Sequence, residues 1–106
     1  RYASWKRHVE GFIPAEVRQM RATKQAPIRC DVFAWFASDV RPDMCNVRKG
    51  AIDCAFPGAR GGDKHTCGLE PLAQFDPACP GVAVVIGRPE EFVGVDSAQI
   101  AREARP

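Results

Sequence analysis

The sequence predicts a small, irregular, mainly α domain that is stabilised by disulfides, with short helices and long loops. The chain has 106 residues, enough for one small domain, and it is poor in large apolar side chains, with only two leucines. Nine prolines and nine glycines interrupt regular structure. Five cysteines can supply the cross-links that so thin a core needs.

We divide the chain into an extended arm, residues 1–13, and a single small cysteine-containing domain, residues 14–106. The arm mixes aromatic and basic side chains, among them Tyr2, Trp5 and Arg7. The first 24 residues carry six basic and two acidic side chains, which is typical of a solvated helix face or of a segment that docks on an acidic protein or a lipid surface. The whole chain has a net charge of +2, which is too balanced to indicate nucleic-acid binding.

Two helices are predicted in the first half of the domain. Pro14 suits the first turn of a helix that Pro27 ends. Asp31 can then cap a second helix over residues 32–40, which is apolar nearly all round and is therefore expected to be buried in the domain or against a partner. The predicted partner contacts are the arm residues and this helix: Tyr2, Trp5, Arg7, Phe33, Trp35 and Phe36.

The second half of the chain alternates short elements with breaks. "PDMCNVRK" predicts a short helical turn that ends at Gly50. The β-branched run in residues 81–87 predicts a strand, and "FVGV" predicts a second, giving one short β-hairpin near residues 82–95. A terminal helix follows, with Asp96 as its cap and Gln99 placed to complete a capping box.

The five cysteines admit several chemical interpretations. No two of them are separated by only two residues, so the chain has no C-x-x-C pair. This absence counts against a zinc knuckle and against a thioredoxin-type redox site. If zinc is bound, the ligands are expected to be Cys45, Cys54, His65 and Cys67. A catalytic thiol needs an adjacent base, and no group that would orient such a base is apparent. Reduced core thiols are a further interpretation.

Disulfides fit the thin core best, because each can contribute about 2–4 kcal/mol to a small domain. Four cysteines allow three pairings, and the residues alone select none of them. The fifth, Cys30, opens the apolar run, so we expect it to be a buried free thiol.

Residues 45–95 resemble the twin-cysteine (CHCH-type) mitochondrial proteins, which are helical hairpins and include subunit VIb of cytochrome c oxidase. The resemblance is carried by the rhythm of the four cysteines, by the "GGD" of residues 61–63 before Cys67, and by the proline directly after Cys79. It implies two nested disulfides, Cys45–Cys79 and Cys54–Cys67. It also implies a non-catalytic role on the intermembrane-space side of a respiratory complex.

The predicted function is therefore a non-catalytic accessory or structural subunit of a larger mitochondrial membrane complex. Its expected partners are other protein subunits and, peripherally, a membrane surface. No cofactor, transmembrane segment or nucleic acid is expected, and no paired-carboxylate, phosphate-loop or triad pattern suggests an enzyme. The alternatives are a secreted, disulfide-stabilised binding or effector domain and a zinc-binding, nucleic-acid-associated module.

Overall fold

The computed structural model describes residues 15–38, 43–55 and 65–105. The predicted arm, residues 1–13, lies outside these ranges. The described elements, in chain order, are α1 (Ala15–Arg18), β1 (Ile28–Phe36), α2 (Met44–Ala55), β2 (Thr66–Cys67), β3 (Gln74–Phe75), β4 (Gly81–Gly87), a 3-10 turn (Pro89–Phe92) and α3 (Ser97–Glu103).

The prediction of a mainly α fold is wrong, because the described residues are organised around one four-stranded sheet. The largest error concerns the helix predicted over residues 32–40, most of which forms the central strand β1. Apolar side chains occupy both faces of this segment, and periodicity does not separate a buried strand from a buried helix. Its β-branched and aromatic residues, such as Val32, Phe33 and Trp35, suit a strand.

Strand β1 pairs along both of its edges. On one side β4 runs antiparallel to it, from the Arg29–Gly87 pair to the Trp35–Gly81 pair. On the other side β2 lies parallel to the start of β1, and β3 lies parallel to its end. Ile28 pairs with Thr66, and Trp35 pairs with Gln74. The segment from Thr66 to Gln74 is therefore one residue longer than the segment of β1 from Ile28 to Trp35 that it accompanies. It is therefore a bulged, irregular edge.

Each face of β1 is covered by a helix, which explains why the segment is apolar on both sides. On one face Ile28, Cys30, Val32 and Ala34 pack in two clusters with residues of α2. On the other face Phe33 and Trp35 form a cluster with Ala101 of α3. The core is thus built on one strand, and small residues let the helices approach it closely.

The remaining predicted elements fare differently. The strand predicted in residues 81–87 is confirmed as β4, and the Asp96 cap is confirmed because its side chain accepts the N–H of Gln99. The Gln99 side chain does not close a capping box but donates to Glu103. "FVGV" lies in the 3-10 turn and the turn after it, so the hairpin near residues 82–95 is wrong, since β4 pairs with β1.

The helices of the first half also differ from their predicted bounds. Within the segment that was expected to be helical up to Pro27, only Ala15–Arg18 is α-helical. Helix α2 runs past Gly50 to Ala55, and Gly50 is buried within it. The second arm of a twin-cysteine hairpin would lie in residues 66–87, where the described elements are strands instead. No described helix is long and apolar enough to cross a membrane.

Gly68 is required by the bulged edge. Its φ is +134°, and a Cβ there would lie 2.1 Å from the Cys30 carbonyl oxygen. We expect Gly68→Ala to lower the free energy of unfolding by about 3 kcal/mol through backbone strain and this clash. Urea unfolding followed by circular dichroism measures it. Gly81→Ala is the control, since a Cβ at Gly81 meets nothing within 4 Å; it should stay within about 1 kcal/mol of the native chain, and equal losses would contradict the account.

Candidate functional site

Both leucines of the chain lie at the surface, on the segment that joins β2 to β3. Leu69 is 52% exposed, Leu72 is 87% exposed, and Phe75 beside them is 49% exposed. Leucine is among the residue types most often buried. The chain has few large apolar side chains, and yet both of its leucines are exposed. This exposure needs an explanation. We call Leu69, Leu72 and Phe75 the apolar edge.

The backbone of the apolar edge is fixed to β1 at both ends. The Val32 N–H donates to the Leu69 carbonyl at 2.9 Å, and the Leu69 N–H donates to Asp31 Oδ1 at 2.9 Å. At the far end the Asp76 N–H donates to the Phe36 carbonyl at 2.8 Å. These contacts set the direction in which the edge side chains project.

One inward position of the same segment is taken by a small residue. Ala73 is buried in the cluster of Val32 and Ala34. Gln74, which is exposed, accepts a hydrogen bond from the Trp35 indole at 3.1 Å. These two contacts hold the segment against β1 between Leu72 and Phe75. A cavity of only about 30 Å³ lies between Leu72 and the aromatic rings of β1.

Asp31 is the polar anchor of the edge, and its side chain is fully buried. Arg29, on the same face of β1, donates to both carboxylate oxygens at 3.0 Å. The Ser97 hydroxyl, at the start of α3, and the Leu69 N–H complete the set of donors. Among the described residues no buried side-chain nitrogen or oxygen lacks a hydrogen-bond partner.

The electrostatics of this anchor favour the ionised carboxylate. Burial alone raises the pKa of Asp31. The hydrogen bonds from Arg29, Ser97 and the Leu69 N–H together lower the pKa by more than burial raises it, so the pKa lies below its usual range. The Arg29 guanidinium also lies over the Phe92 ring, 4.4 Å from its centroid. One carboxylate therefore joins β1, the apolar edge and α3.

Two further arginines tie neighbouring elements to the edge. Arg48 of α2 donates to the carbonyls of Cys30 and Cys67, the second at 2.7 Å. Arg105 lies over the Trp35 ring at 4.1 Å and pairs with Asp76 at 2.6 Å. The hydrogen bond from Arg105 lowers the pKa of Asp76 below its usual range. Both ends of the edge segment are thus held by ion pairs or by charged donors.

The structure contains no disulfide among the described cysteines. Cys45 and Cys67 are free thiols, so neither Cys45–Cys79 nor Cys54–Cys67 is bonded in it, and the side chain of Cys54 lies outside the described residues. The Cys45 thiol instead donates to Glu70 at 3.6 Å, and the Cys67 thiol to the Ile28 carbonyl at 3.7 Å. The pairing that the twin-cysteine resemblance implies stays a prediction.

The chemistry of the thiols does not favour a reactive site. The charges of Glu70 and Asp43 raise the pKa of Cys45. Burial raises the pKa of Cys30 to about 11, partly offset by the charge of Arg48. Both shifts disfavour the thiolate that a nucleophile or a metal ligand requires. The described residues contain no group of three His, Cys, Asp or Glu side chains that could hold a metal ion, and the side chain of Cys54, one of the four predicted zinc ligands, lies outside them.

The predicted partner contacts divide between the core and the undescribed arm. Phe33 and Trp35 are buried against α3, and Phe36 is half-buried beside the cluster of Val32. These aromatic side chains are used inside the domain because β1 is its central strand. Tyr2, Trp5 and Arg7 lie outside the described residues.

Sequence reasoning missed the apolar edge, although a signal was present. In "GLEPLAQF" the leucines stand beside a glycine, a glutamate and a proline. Their spacing of three residues would suit a helix, but the glycine and the proline interrupt one, so no regular element turns them inward. Leucines in such a setting are candidates for surface exposure.

A cavity between Trp35, Arg105 and the start of β4 has a volume of about 120 Å³. Small-molecule sites usually have volumes of ~300–1,000 Å³. No protein-family model, curated protein or solved structure matches the chain. Among the described residues, the apolar edge and the polar contacts that hold it are the features that we consider for function.

The Asp31 anchor predicts a pH-dependent loss of stability. Its folded pKa lies below its unfolded pKa of about 3.9, so the ionised group stabilises the fold above about pH 4, and the contribution is lost as the pH falls through the folded value. Asp31→Asn should lower the free energy of unfolding by about 2 kcal/mol at pH 7, because Arg29 loses its partner. Urea titrations from pH 7 to pH 2.5 should show this deficit shrinking.

The control for Asp31→Asn is Glu90→Gln, which removes an exposed carboxylate. It should change the free energy of unfolding by less than about 0.5 kcal/mol at any pH in the series. A deficit for Asp31→Asn that stays constant from pH 7 to pH 2.5 would contradict the role of the ionised carboxylate.

The thiols should differ in their rates of alkylation. Cys30 is fully buried with a pKa of about 11, whereas Cys67 is exposed. At pH 8 we expect Cys30 to react at least about a hundredfold more slowly than Cys67. Peptide mass spectrometry after timed alkylation without reductant measures both rates. If Cys45 and Cys67 react only after reduction, the result instead supports the implied disulfides.

Proposed function

We propose that this protein is a non-catalytic, protein-binding subunit of a larger assembly and that the apolar edge is its binding surface. The observation that carries the proposal is the exposure of both leucines on a segment whose backbone is hydrogen-bonded to β1 at Leu69 and at Asp76. Isolated exposed apolar residues are ordinary, whereas exposed apolar surface concentrated in one short segment is a candidate for a protein–protein contact, and here three large apolar side chains are exposed within seven positions.

The energetics of the edge suit a binding surface. Covering a leucine or phenylalanine side chain contributes about 1.5–3 kcal/mol when it is transferred fully from water. The contacts of Leu69 and Asp76 with β1 already order the backbone, so binding costs less conformational entropy than it would for a free loop. Most of the affinity can then come from two or three side chains.

The surroundings of the edge resemble the anatomy of a protein interface. Glu70 lies between the leucines in the chain and is exposed, and the ion pair of Asp76 with Arg105 closes one end. An apolar centre with a polar rim is the usual arrangement at such contacts. A partner surface that is apolar with basic groups at its margin would be complementary to this acidic rim.

Two observations support a non-catalytic role. The cavity beside Trp35 is small for a substrate, at about 120 Å³. The exposed thiol of Cys45 lies beside Glu70 and Asp43, which raise its pKa and so disfavour the thiolate. The mitochondrial setting stays a prediction from the twin-cysteine resemblance, because no contact among the described residues bears on it.

The proposal is tested by photo-crosslinking in the cells that make the protein. A photoreactive side chain at Leu72 should give an adduct with one partner protein, at least about tenfold above the same probe at Val93. Val93 is the matched control because it is 83% exposed and lies outside the edge. Equal labelling from both positions would contradict the proposal.

The captured partner permits a second measurement on the full chain. Leu72→Ser should weaken its binding by at least about tenfold, equivalent to about 1.4 kcal/mol, whereas Val93→Ser should leave it unchanged. Because Leu72 is almost fully exposed, thermal unfolding of the variant should match that of the native chain. Unchanged affinity would reject the apolar edge as the binding surface.

A further inference from the structure

Two carboxylates from different elements meet at one end of the apolar edge. Glu70 stands between the leucines of the edge, Asp43 directly precedes helix α2, and both residues are exposed. The Cys45 thiol donates to Glu70 Oε1 at 3.6 Å, and the Cys45 N–H donates to Asp43 Oδ1 at 2.9 Å. One residue contacts both carboxylates, so they lie close together although they are distant in the chain. We call Asp43 and Glu70 the acidic pair.

The acidic pair lies beside the apolar edge because α2 begins against the edge segment. Met44, the first residue of α2, is buried in the same cluster as Ala73 of that segment. Asp43 directly precedes Met44, and Glu70 directly follows Leu69. The two carboxylates therefore flank the Leu69 end of the edge, on the side where α2 starts.

The charge of the acidic pair is not neutralised within the described ranges. Neither carboxylate is in an ion pair there, and the N-terminus of α2 supplies only a partial positive charge. The charge of Glu70, followed by that of Asp43, raises the pKa of the Cys45 thiol, as a negative potential does for a group that ionises to an anion. A negative potential thus covers this end of the edge.

The opposite end of the apolar edge is compensated by the chain itself. Asp76, which follows Phe75, pairs with Arg105 at 2.6 Å. The Arg105 guanidinium also lies over the Trp35 ring, 4.1 Å from the centroid, so its charge is held in place. The edge therefore has a negatively charged end at Leu69 and a neutralised end at Phe75.

We propose that the partner protein places a lysine or arginine side chain against Glu70 and Asp43 when its apolar surface covers the apolar edge. This proposal rests on the proposed function and adds to it the chemistry and the orientation of the partner. Complementary charges at the margin of an interface steer association and fix its register, and like charges exclude the wrong partners. Because only the Leu69 end is charged, the basic group determines which way the partner lies along the edge.

The exposure of the acidic pair sets the size of the expected effect. An ion pair in contact with solvent contributes little affinity, so loss of the Glu70 charge should weaken binding by only about threefold. Reversal of that charge adds repulsion of the partner's basic group and should weaken binding by at least about tenfold. Glu70 is the residue to change, because Asp43 also accepts a backbone N–H in the first turn of α2.

Photo-crosslinking from Leu72 in the full chain tests the proposal. With the photoreactive side chain at Leu72, Glu70→Lys should lower the yield of the partner adduct at least about tenfold, and Glu70→Gln about threefold. Glu70→Asp keeps the charge and should stay within about twofold of the native yield. Glu90→Lys is the matched control, since Glu90 is exposed outside the edge, and it should leave the yield unchanged.

A second readout covers the case of a variant that fails to fold. Thermal unfolding of Glu70→Lys should match that of the native chain, because Glu70 is exposed. If it does not, Glu70→Gln, which keeps the shape of the side chain, takes its place. In a lysate of the same cells, raising the salt from about 0.05 M to about 0.5 M should lower the native adduct yield at least about threefold and that of Glu70→Gln much less.

The outcomes separate this proposal from the proposed function. If Leu72 labels a partner more strongly than Val93 does, and Glu70→Lys leaves that labelling unchanged, the acidic pair meets no basic group, whereas the apolar edge remains the binding surface. A stronger adduct in Glu70→Lys would also overturn the proposal, since the partner would then be acidic at this position. If Leu72 labels no more than Val93, the proposed function fails, and the present proposal fails with it.

Discussion

The buried carboxylate of Asp31 is the interaction on which the rest of the structure depends. It accepts hydrogen bonds from Arg29 of β1, from Ser97 at the start of α3, and from the Leu69 N–H of the apolar edge. A buried charge costs several kcal/mol unless its partners are all in place. The strand, the helix and the edge are therefore stabilised together, and none of the three can shift without leaving the carboxylate short of a donor.

This constraint explains the exposure of the leucines. The edge segment must bring the Leu69 N–H to Asp31, and it must also bury Ala73, further along the chain, against β1. It does so with one more residue than the strand beside it and with Gly68 at a φ of +134°. The small side chain of Ala73 takes the inward position. The large side chains project outward because the polar and steric requirements of the backbone leave them no inward place.

Local signals predicted local structure correctly. The β-branched run of β4 and the cap at Asp96 both depend on neighbouring residues in the chain. Strand β1 was predicted as a helix because helices cover both of its faces, and a segment buried all round has no period that distinguishes the two structures. Asp31 was interpreted as a helix cap for the same reason. Two of its actual donors come from 38 and 66 residues further along the chain, and only Arg29 is close in sequence.

The sequence by itself determined the size of the domain, its shortage of large apolar side chains, the strand at β4 and the cap of α3. Only the tertiary structure decided which surfaces remain for other molecules. Phe33 and Trp35, which were predicted to contact a partner protein, are buried in the core because β1 is the central strand. Leu69 and Leu72 are exposed on a segment that hydrogen bonds at Leu69 and Asp76 hold against β1. Exposure depends on which distant segments meet, and residue type alone does not contain that information.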